Sequence, residues 1–302
     1  MSASTSKDSP PRTRFAPSPN GRLHLGHAYS AIFASETAQK LEGTFLLRIE
    51  DIDIGRCRPE YEAGIYEDLA WLGLSWGTPV RRQSEHFGDY ERALKQLRDL
   101  GVVYPCFATR REIERSIADS GIGLDRWPRD PDGALLYPGL YKDISPSRRN
   151  DLMWEGRSYA WRLDMEQAIT LAENMSGGPI TFIEEEGGPA GETGRQPIRP
   201  DLFGDVVIAR KGVPTSYHLA VTVDDALQNI THVTRGRDLY PATYVHRLLQ
   251  VLLGLPEPRY RHHRLIEDGT GRRLSKSARD LALKDLRDAG SSPADIRRMI
   301  GI

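Results

Sequence analysis

The stretch that decides the fold reads RFAPSPNGRLHLGH and spans residues 14–27. Ser18-Pro19-Asn20-Gly21 in its middle is typical of a tight turn, because proline presets φ and glycine tolerates a positive φ. Residues 13–16 have the composition of a short strand, and residues 28–40 are mostly good helix formers. We therefore expect a strand, a turn and a helix whose start carries His24 and His27.

The two histidines are three residues apart, a spacing that places both imidazoles on one side of a helical turn. Backbone N–H groups at a helix start lack partners within the helix and attract anions, so this position suits a phosphate. The alternative is that His24 and His27 are ordinary surface or core histidines whose spacing is accidental.

A second strand is predicted over residues 43–50, an apolar run that glycine opens and that ends in Glu50-Asp51-Ile52-Asp53. A strand, a helix and a strand in this order indicate a βαβ unit with a parallel sheet, and hence an α/β fold. Ligands bind beyond the carboxyl ends of such strands, so Glu50 and the histidines are expected at one edge. The alternative for the acidic group is a polar loop that caps a helix.

The composition is that of an ordinary globular protein, with 302 residues and a net charge of −1. It gives no support for bulk electrostatic binding to nucleic acid. The two cysteines, Cys57 and Cys106, form no disulfide framework, so a reducing cytoplasm is expected. No run reaches the length of a membrane span, and residues 1–12 are predicted to be a disordered tail.

Further along the chain, helices are predicted over residues 59–74, 85–99, 110–118 and 242–253. Residues 104–200 are interpreted as an inserted mixed α+β subdomain with a mobile loop near 184–198, whose acidic run at 184–186 is solvated. The catalytic core would then be discontinuous, over 13–103 and 201–277, with a short helical segment over 278–302. Residues 216–225 are interpreted as a long strand or a strand–helix junction, in which Tyr217 and His218 are either satisfied core groups or pocket groups.

Residues 268–277 form a glycine-rich, positively charged stretch with two hydroxyls around Lys276. Such a stretch suits a phosphate whose charge grows during a reaction. Basic residues also gather nearby and suggest a local basic face, although a solvated charged surface explains the outer members as well. The members of this group are Arg259, Arg261, His262, His263, Arg264, Arg272, Arg273 and Lys276.

Taken together, RFAPSPNGRLHLGH, RIEDID and RLSKS resemble the class I glutamyl- and glutaminyl-tRNA synthetase family. Residues 24–27 match its first signature and residues 273–277 its second. The resemblance implies a Rossmann-like parallel sheet with helices on both faces. Because only 25 residues follow Ser277, the chain is similar to the truncated paralogues of glutamyl-tRNA synthetase, which have no anticodon-binding domain.

The resemblance implies that ATP, as its Mg²⁺ complex, and L-glutamate form glutamyl-adenylate without tRNA. Glutamate would then pass to the queuosine base in the anticodon loop of tRNA(Asp). His24, Gly26, His27 and Lys276 would bind ATP, with His24, His27 and Lys276 catalytic. The glutamate site would comprise Arg14, Ser18, Glu50, Tyr217 and Arg235. The protein is expected to be a monomer without membrane contact.

One departure from the family concerns zinc, which members often bind through a Cys-x-Cys pair and a Tyr-x3-Cys pair. Here Cys106 and Tyr137 are present, but Ala108 and Tyr141 stand at the other two positions, so structural zinc is not expected. The sequence leaves three alternative functions open. They are a glutamyl-tRNA synthetase that charges the tRNA 3′ end, a catalytically silent tRNA-binding relative, and a simple nucleotidyltransferase.

Overall fold

The computed structural model describes residues 10–266 and 281–302. Strand β1 (Arg12–Phe15) leads through the turn into helix α1 (Leu25–Lys40), and the chain returns in strand β2 (Thr44–Ile49). β1 and β2 are parallel, with Arg14 opposite Leu46, which confirms the predicted βαβ unit. Helix α1 begins before residue 28, where the sequence placed its start, because His24 acts as its N-cap.

Helix α2 (Pro59–Trp71), strand β3 (Gly77–Arg82) and helix α3 (Phe87–Asp99) follow. β3 pairs in parallel with the far edge of β2, which gives a sheet of order β1-β2-β3. Both helices lie within the predicted ranges. Helix α3 stops where the chain turns at Gly101, whose φ of 75° is the left-handed conformation that glycine adopts without strain.

A small antiparallel sheet is built next. Its first strands are β4 (Val103–Cys106) and β5 (Ala160–Leu163), separated by helices α4 (Arg110–Asp119) and α5 (Pro146–Trp154). Helix α6 (Met165–Ser176) then leads to strands β6 (Thr181–Glu184) and β7 (Gly194–Pro197). β6 and β7 pair in antiparallel fashion as a hairpin.

The remaining described elements are strand β8 (Val207–Arg210), helix α7 (Tyr217–Leu227), strand β9 (His232–Gly236), helix α8 (Ala242–Leu253) and strand β10 (Arg259–His263). Two short helices, α9 (Leu283–Asp288) and α10 (Pro293–Met299), end the chain. β10 pairs in parallel with both β9 and β6, so the second large sheet has the order β7-β6-β10-β9. Its β9 edge meets β1, where the Thr231 N–H donates to the Arg12 carbonyl over 3.0 Å.

Strand pairing crosses the predicted limits of the inserted subdomain. β8 lies after residue 200 but pairs with β5, whereas β6 lies before it but pairs with β10. The division of the chain into domains remains a prediction.

Two expectations about local structure were wrong. Residues 216–225 belong to helix α7, because the Ser216 side chain caps its start and the apolar, β-branched run packs as one buried helical face. The loop predicted near 184–198 is shorter, over residues 185–193 between β6 and β7, and Glu184 of the acidic run is only 1% exposed. β6 also pairs with β10, which comes from a distant part of the chain. No local sequence feature therefore indicated this pairing.

The apolar core has two main parts. One packs α1 and α2 against the first sheet, and the other gathers α3, α6, α7 and α8 around Leu163, Phe203 and Leu248. Among the described residues, no helix has the length and the apolar character needed to cross a membrane.

Candidate active site

A cavity of about 510 Å³ opens at the carboxyl ends of β1, β2, β9 and β10. Every described residue that the sequence proposed for ATP or glutamate lines it, namely Arg14, Ser18, His24, Gly26, His27, Glu50, Tyr217 and Arg235. Lys276 lies outside the described residues. The position agrees with the rule that parallel sheets bind ligands beyond the carboxyl ends of their strands.

The two histidines cap helix α1 reciprocally. The Gly26 N–H donates to Nδ1 of His24 over 3.1 Å, and the His24 N–H donates to Nδ1 of His27 over 3.2 Å. A ring nitrogen that accepts a backbone hydrogen bond carries no proton, so the neutral tautomer holds its proton on Nε2. Each ring therefore offers Nε2–H, the polarity that a phosphate oxygen accepts.

Glycine at position 26 gives the His24 ring its space. A Cβ on Gly26 would lie 3.0 Å from Cε1 and 3.1 Å from Nδ1 of His24. The ring centroids of His24 and His27 are 3.9 Å apart, so neither ring can retreat easily. A side chain at this position would therefore press on the His24 ring, whose Nδ1 caps the helix.

Arg235, on β9, donates hydrogen bonds to three neutral acceptors. Its Nε donates to Nε2 of His262 over 3.1 Å, and its Nη1 and Nη2 donate to His246 Nδ1 and Thr243 Oγ1 over 3.1 and 2.6 Å. The residue is 5% exposed, and within residues 10–266 and 281–302 no carboxylate pairs with it. A buried charge without a counterion is costly, so this guanidinium favours an anionic ligand in the cavity.

Arg14, on β1, has a different environment. Its Nε and Nη2 donate to the two carboxylate oxygens of Asp225 over 3.0 and 3.2 Å, and its Nη1 donates to the Thr234 carbonyl. Burial alone would raise the pKa of Asp225, but the guanidinium groups of Arg14 and Arg48 outweigh it and the pKa is lowered. The charge of Arg14 is thus already matched within the protein, although the residue lines the cavity.

Glu50 lies at the end of β2 and accepts from Nη2 of Arg48 over 3.1 Å. Burial raises the pKa of its carboxyl, against the opposing effect of Arg48 and Arg14. A ligand ammonium would favour the ionised form. Of the acidic group after β2 only Glu50 lines the cavity, because Asp51 accepts from Ser84 and the exposed Asp53 pairs with Arg56.

Comparison with known proteins agrees with this geometry. The sequence matches the family described as tRNA synthetases class I (E and Q), catalytic domain, over residues 11–137 and 149–301. The chain belongs to this family. It is accordingly an aminoacyl-tRNA synthetase-like, ATP-dependent ligase, with the Rossmann-like core and inserted mixed subdomain that the sequence predicted.

The curated relatives carry one or the other of two names. A glutamyl-Q tRNA(Asp) synthetase of Rhodobacter capsulatus is 47% identical over 96% of this chain and 99% of its own length. One from Nitratidesulfovibrio vulgaris is 37% identical over 94% and 83%. A glutamate–tRNA ligase of Aquifex aeolicus is 35% identical over 93% of this chain but 54% of its own length.

A solved structure has the same fold. A glutamate tRNA ligase from Elizabethkingia meningosepticum, crystallised in complex with its amino acid, superposes with a TM-score of 0.72 at 27% identity. The match covers 94% of this chain and 54% of that one. The chain therefore spans about half the length of the glutamate–tRNA ligases that it matches.

Sequence reasoning missed the buried ion network behind the site of this synthetase. Arg48 of β2 and Asp224 and Asp225 of α7 are at most 5% exposed. Arg48 donates to Asp225 over 2.7 Å, and Asp224 accepts from Tyr90, Gln83 and Arg81. The available signal was a charge inside an apolar run, at Arg48 and again at residues 224–225, since buried charges require partners.

At the position of the family's zinc site, the side chains contact one another. The Cys106 thiol donates to the Tyr137 hydroxyl over 3.2 Å, and the Arg162 guanidinium lies 3.9 Å from the centroid of the Tyr137 ring. Tyr141 packs on Phe107. One thiol and two phenols do not fit a structural zinc ion, so a protein without zinc remains our prediction.

The predicted basic face is altered by ion pairing. Arg259 and Arg261 donate to Glu185 and Glu186 over 2.6 and 2.5 Å, so the acidic run neutralises them. His262 and His263 are buried. Arg272, Arg273 and Lys276 lie outside the described residues. The prediction of a basic face is therefore wrong for the arginines of β10. The prediction that the acidic run is simply solvated is wrong as well.

Proposed function

We propose that this synthetase activates L-glutamate with ATP·Mg²⁺ to glutamyl-adenylate without tRNA, and transfers glutamate to the queuosine base of tRNA(Asp) in the cytoplasm. The observation that carries the activation step is the cavity with the buried Arg235, whose guanidinium donates to three neutral acceptors and pairs with no carboxylate among the described residues. A carboxylate of glutamate would supply the missing charge through paired hydrogen bonds.

The ammonium and the second carboxylate have partners in the same cavity. Glu50 would take the ammonium, and Arg14, which lines the cavity beside Asp225, would contribute a further N–H to a carboxylate. Ser18 and Tyr217 would add hydroxyl hydrogen bonds. The charges of the site therefore match an acidic amino acid, with two carboxylates and one ammonium, and the names of the relatives favour glutamate.

In the activation step, an α-carboxylate oxygen of glutamate attacks the α-phosphorus of ATP, and the bond to pyrophosphate breaks. Two anions must approach each other, so alignment and charge neutralisation dominate the barrier. His24 and His27 would donate Nε2–H to phosphate oxygens at the start of α1. Lys276 is proposed to stabilise the charge that grows on pyrophosphate.

The proposal for the acceptor RNA is based on the relatives and not on the cavity. The two glutamyl-Q tRNA(Asp) synthetases match this chain over 83–99% of their length, whereas the glutamate–tRNA ligase of Aquifex aeolicus matches over 54%. The second candidate is glutamate transfer to a tRNA 3′ end, which the 35% identity to that ligase supports.

Transfer of labelled glutamate separates the two acceptors. We expect labelling of tRNA(Asp) that carries queuosine, and none of the same tRNA without queuosine or of tRNA(Glu). Removal of the 3′ terminal adenosine from tRNA(Asp) serves as the control and should leave the labelling unchanged. Labelling of tRNA(Glu) that depends on its 3′ end would favour the second candidate.

A further inference from the structure

Behind Arg235, a buried imidazole lies between the guanidinium and a buried carboxylate. The Nδ1–H of His262 donates to Glu184 Oε2 over 2.5 Å, and Nε2 of the same ring accepts from Nε of Arg235 over 3.1 Å. The His262 side chain has no exposed surface, and Glu184 is 1% exposed. The sequence had placed Glu184 in a mobile, solvated loop.

Glu184 is fixed by the backbone around it. Its Oε1 accepts from the N–H groups of Glu186, Gly187 and His262 over 3.1, 3.0 and 3.1 Å. Its Oε2 is therefore the atom left to face the imidazole. Burial would raise the pKa of this carboxyl, but the hydrogen bonds from His262 and Gly187 outweigh it and lower the pKa.

The direction of each hydrogen bond follows from that anion. An ionised Oε2 can only accept, so Nδ1 of His262 carries the proton and Nε2 presents a lone pair to Arg235. The opposite tautomer would set Nε2–H against Nε–H of Arg235, two donors facing each other. On the far side of the guanidinium, His246 repeats the arrangement, since its Nδ1 accepts from Arg235 and its Nε2–H is left for His218 Nδ1 at 3.2 Å.

We propose that Glu184 and His262 are positioning residues that orient the Arg235 guanidinium toward its carboxylate ligand and thereby set the affinity for glutamate. The inference rests on the proposed function, because it takes Arg235 as a glutamate ligand. Neither residue lines the cavity. Their effect passes through the lone pair of His262, which aligns one edge of the guanidinium without neutralising its charge.

The first test inverts the hydrogen-bond polarity with almost no change of shape. In Glu184→Gln, the amide oxygen keeps the three backbone N–H groups, and the amide N–H₂ faces Nδ1 of His262. The ring must then move its proton to Nε2, against Arg235. We expect the KM for glutamate in ATP–pyrophosphate exchange to rise roughly tenfold to a hundredfold, with the KM for ATP changed less than about twofold.

The matched control is Glu185→Gln, the same substitution one residue later, where the carboxylate pairs with the exposed Arg259. It should leave both KM values unchanged. Nitrogen NMR shifts of the His262 ring report the tautomer directly. They should show Nδ1–H in the wild type and Nε2–H in Glu184→Gln, which a merely structural role for Glu184 does not require.

A second pair of variants separates the two ring nitrogens. The amide of His262→Gln reaches the place of Nε2 and can still accept from Arg235, whereas that of His262→Asn reaches only the place of Nδ1. We expect His262→Gln to keep a lower glutamate KM than His262→Asn at equal thermal stability. Equal glutamate KM values in this pair, or a wild-type value in Glu184→Gln, would overturn the positioning role. A wild-type protein without glutamate-dependent exchange would instead contradict the proposed function itself.

Discussion

At the level of single residues, Arg14 and Arg235 line the same cavity but have different electrostatic environments. Arg14 is bound by both oxygens of Asp225, whereas Arg235 is bound by two imidazoles and a hydroxyl. The sequence proposed both as carboxylate ligands and could not rank them, because Asp225 lies 211 positions from Arg14. We therefore propose Arg235 as the principal carboxylate ligand and expect Arg14 to have a stabilising role as well.

Matched substitutions should separate these roles. Arg235→Gln removes the unmatched charge, so we expect the KM for glutamate to rise roughly a hundredfold and discrimination against glutamine to be lost. Arg14→Gln leaves Asp225 with less compensation, so we expect the free energy of unfolding to fall by about 3 kcal/mol. Exchange kinetics and urea unfolding of both variants measure this. An Arg235→Gln protein that still prefers glutamate over glutamine would contradict the assignment.

Among the elements, helix α1 has a cap made of the same two histidines that are proposed to bind phosphate. The cap explains why the helix starts at Leu25. Because Nδ1 of each ring accepts a backbone hydrogen bond, the proton of each neutral imidazole is on Nε2. The local fold and the proposed chemistry therefore depend on the same side chains. Replacing one histidine changes both unless the replacement keeps the cap.

Asparagine at position 24 keeps the cap and removes the imidazole. Since asparagine is among the best N-cap residues, we expect His24→Asn to retain wild-type stability, whereas His24→Ala should lose about 1 kcal/mol. Both should lower kcat for exchange by roughly a hundredfold, because both lack the Nε2 donor. Thermal unfolding and exchange rates measured side by side distinguish the effects. Wild-type kcat in His24→Asn would mean that the histidine acts only as a cap.

The sequence predicted those elements whose causes are local. The βαβ unit, helices α2, α3 and α8, and the helical segment at the end of the chain follow from periodicity, caps and glycine stops. It failed for residues 216–225, where the β-branched run resembles a strand and the decisive partners of Asp224 and Asp225 lie in β1 to α3. It failed again for Glu184, whose partner His262 is 78 residues away. The residues proposed for the site come from motifs, which do not predict their hydrogen bonds.

In the whole molecule, the buried His246 and His262 contact Arg235 at the seam between the sheets, and the half-buried His218 contacts His246. Burial, and then the charge of Arg235, lowers the pKa of His218 to about 4. The same two causes lower the pKa of His262 to about 4, with Glu184 opposing, and that of His246 well below its usual value. In the unfolded chain each returns to about 6.5, so the unfolded state binds more protons between these values.

The free energy of unfolding should therefore decrease as the pH falls through this window. We expect a decline between about pH 6.5 and 5, with a slope of up to about 1.4 kcal/mol per pH unit for each histidine. His262→Gln should reduce the slope. Urea unfolding at several pH values provides the measurement. A stability that is constant from pH 6.5 to 5 would show that these histidines are not held neutral.

The cavity at the carboxyl ends of four strands is lined by the capped histidines, Glu50 and the two arginines. ATP–pyrophosphate exchange without tRNA tests its proposed use most directly. We predict exchange that depends on L-glutamate, is not supported by glutamine and has a roughly hundredfold higher glutamate KM in Arg235→Gln at wild-type stability. Exchange that requires tRNA, or that glutamine supports equally well, would contradict it.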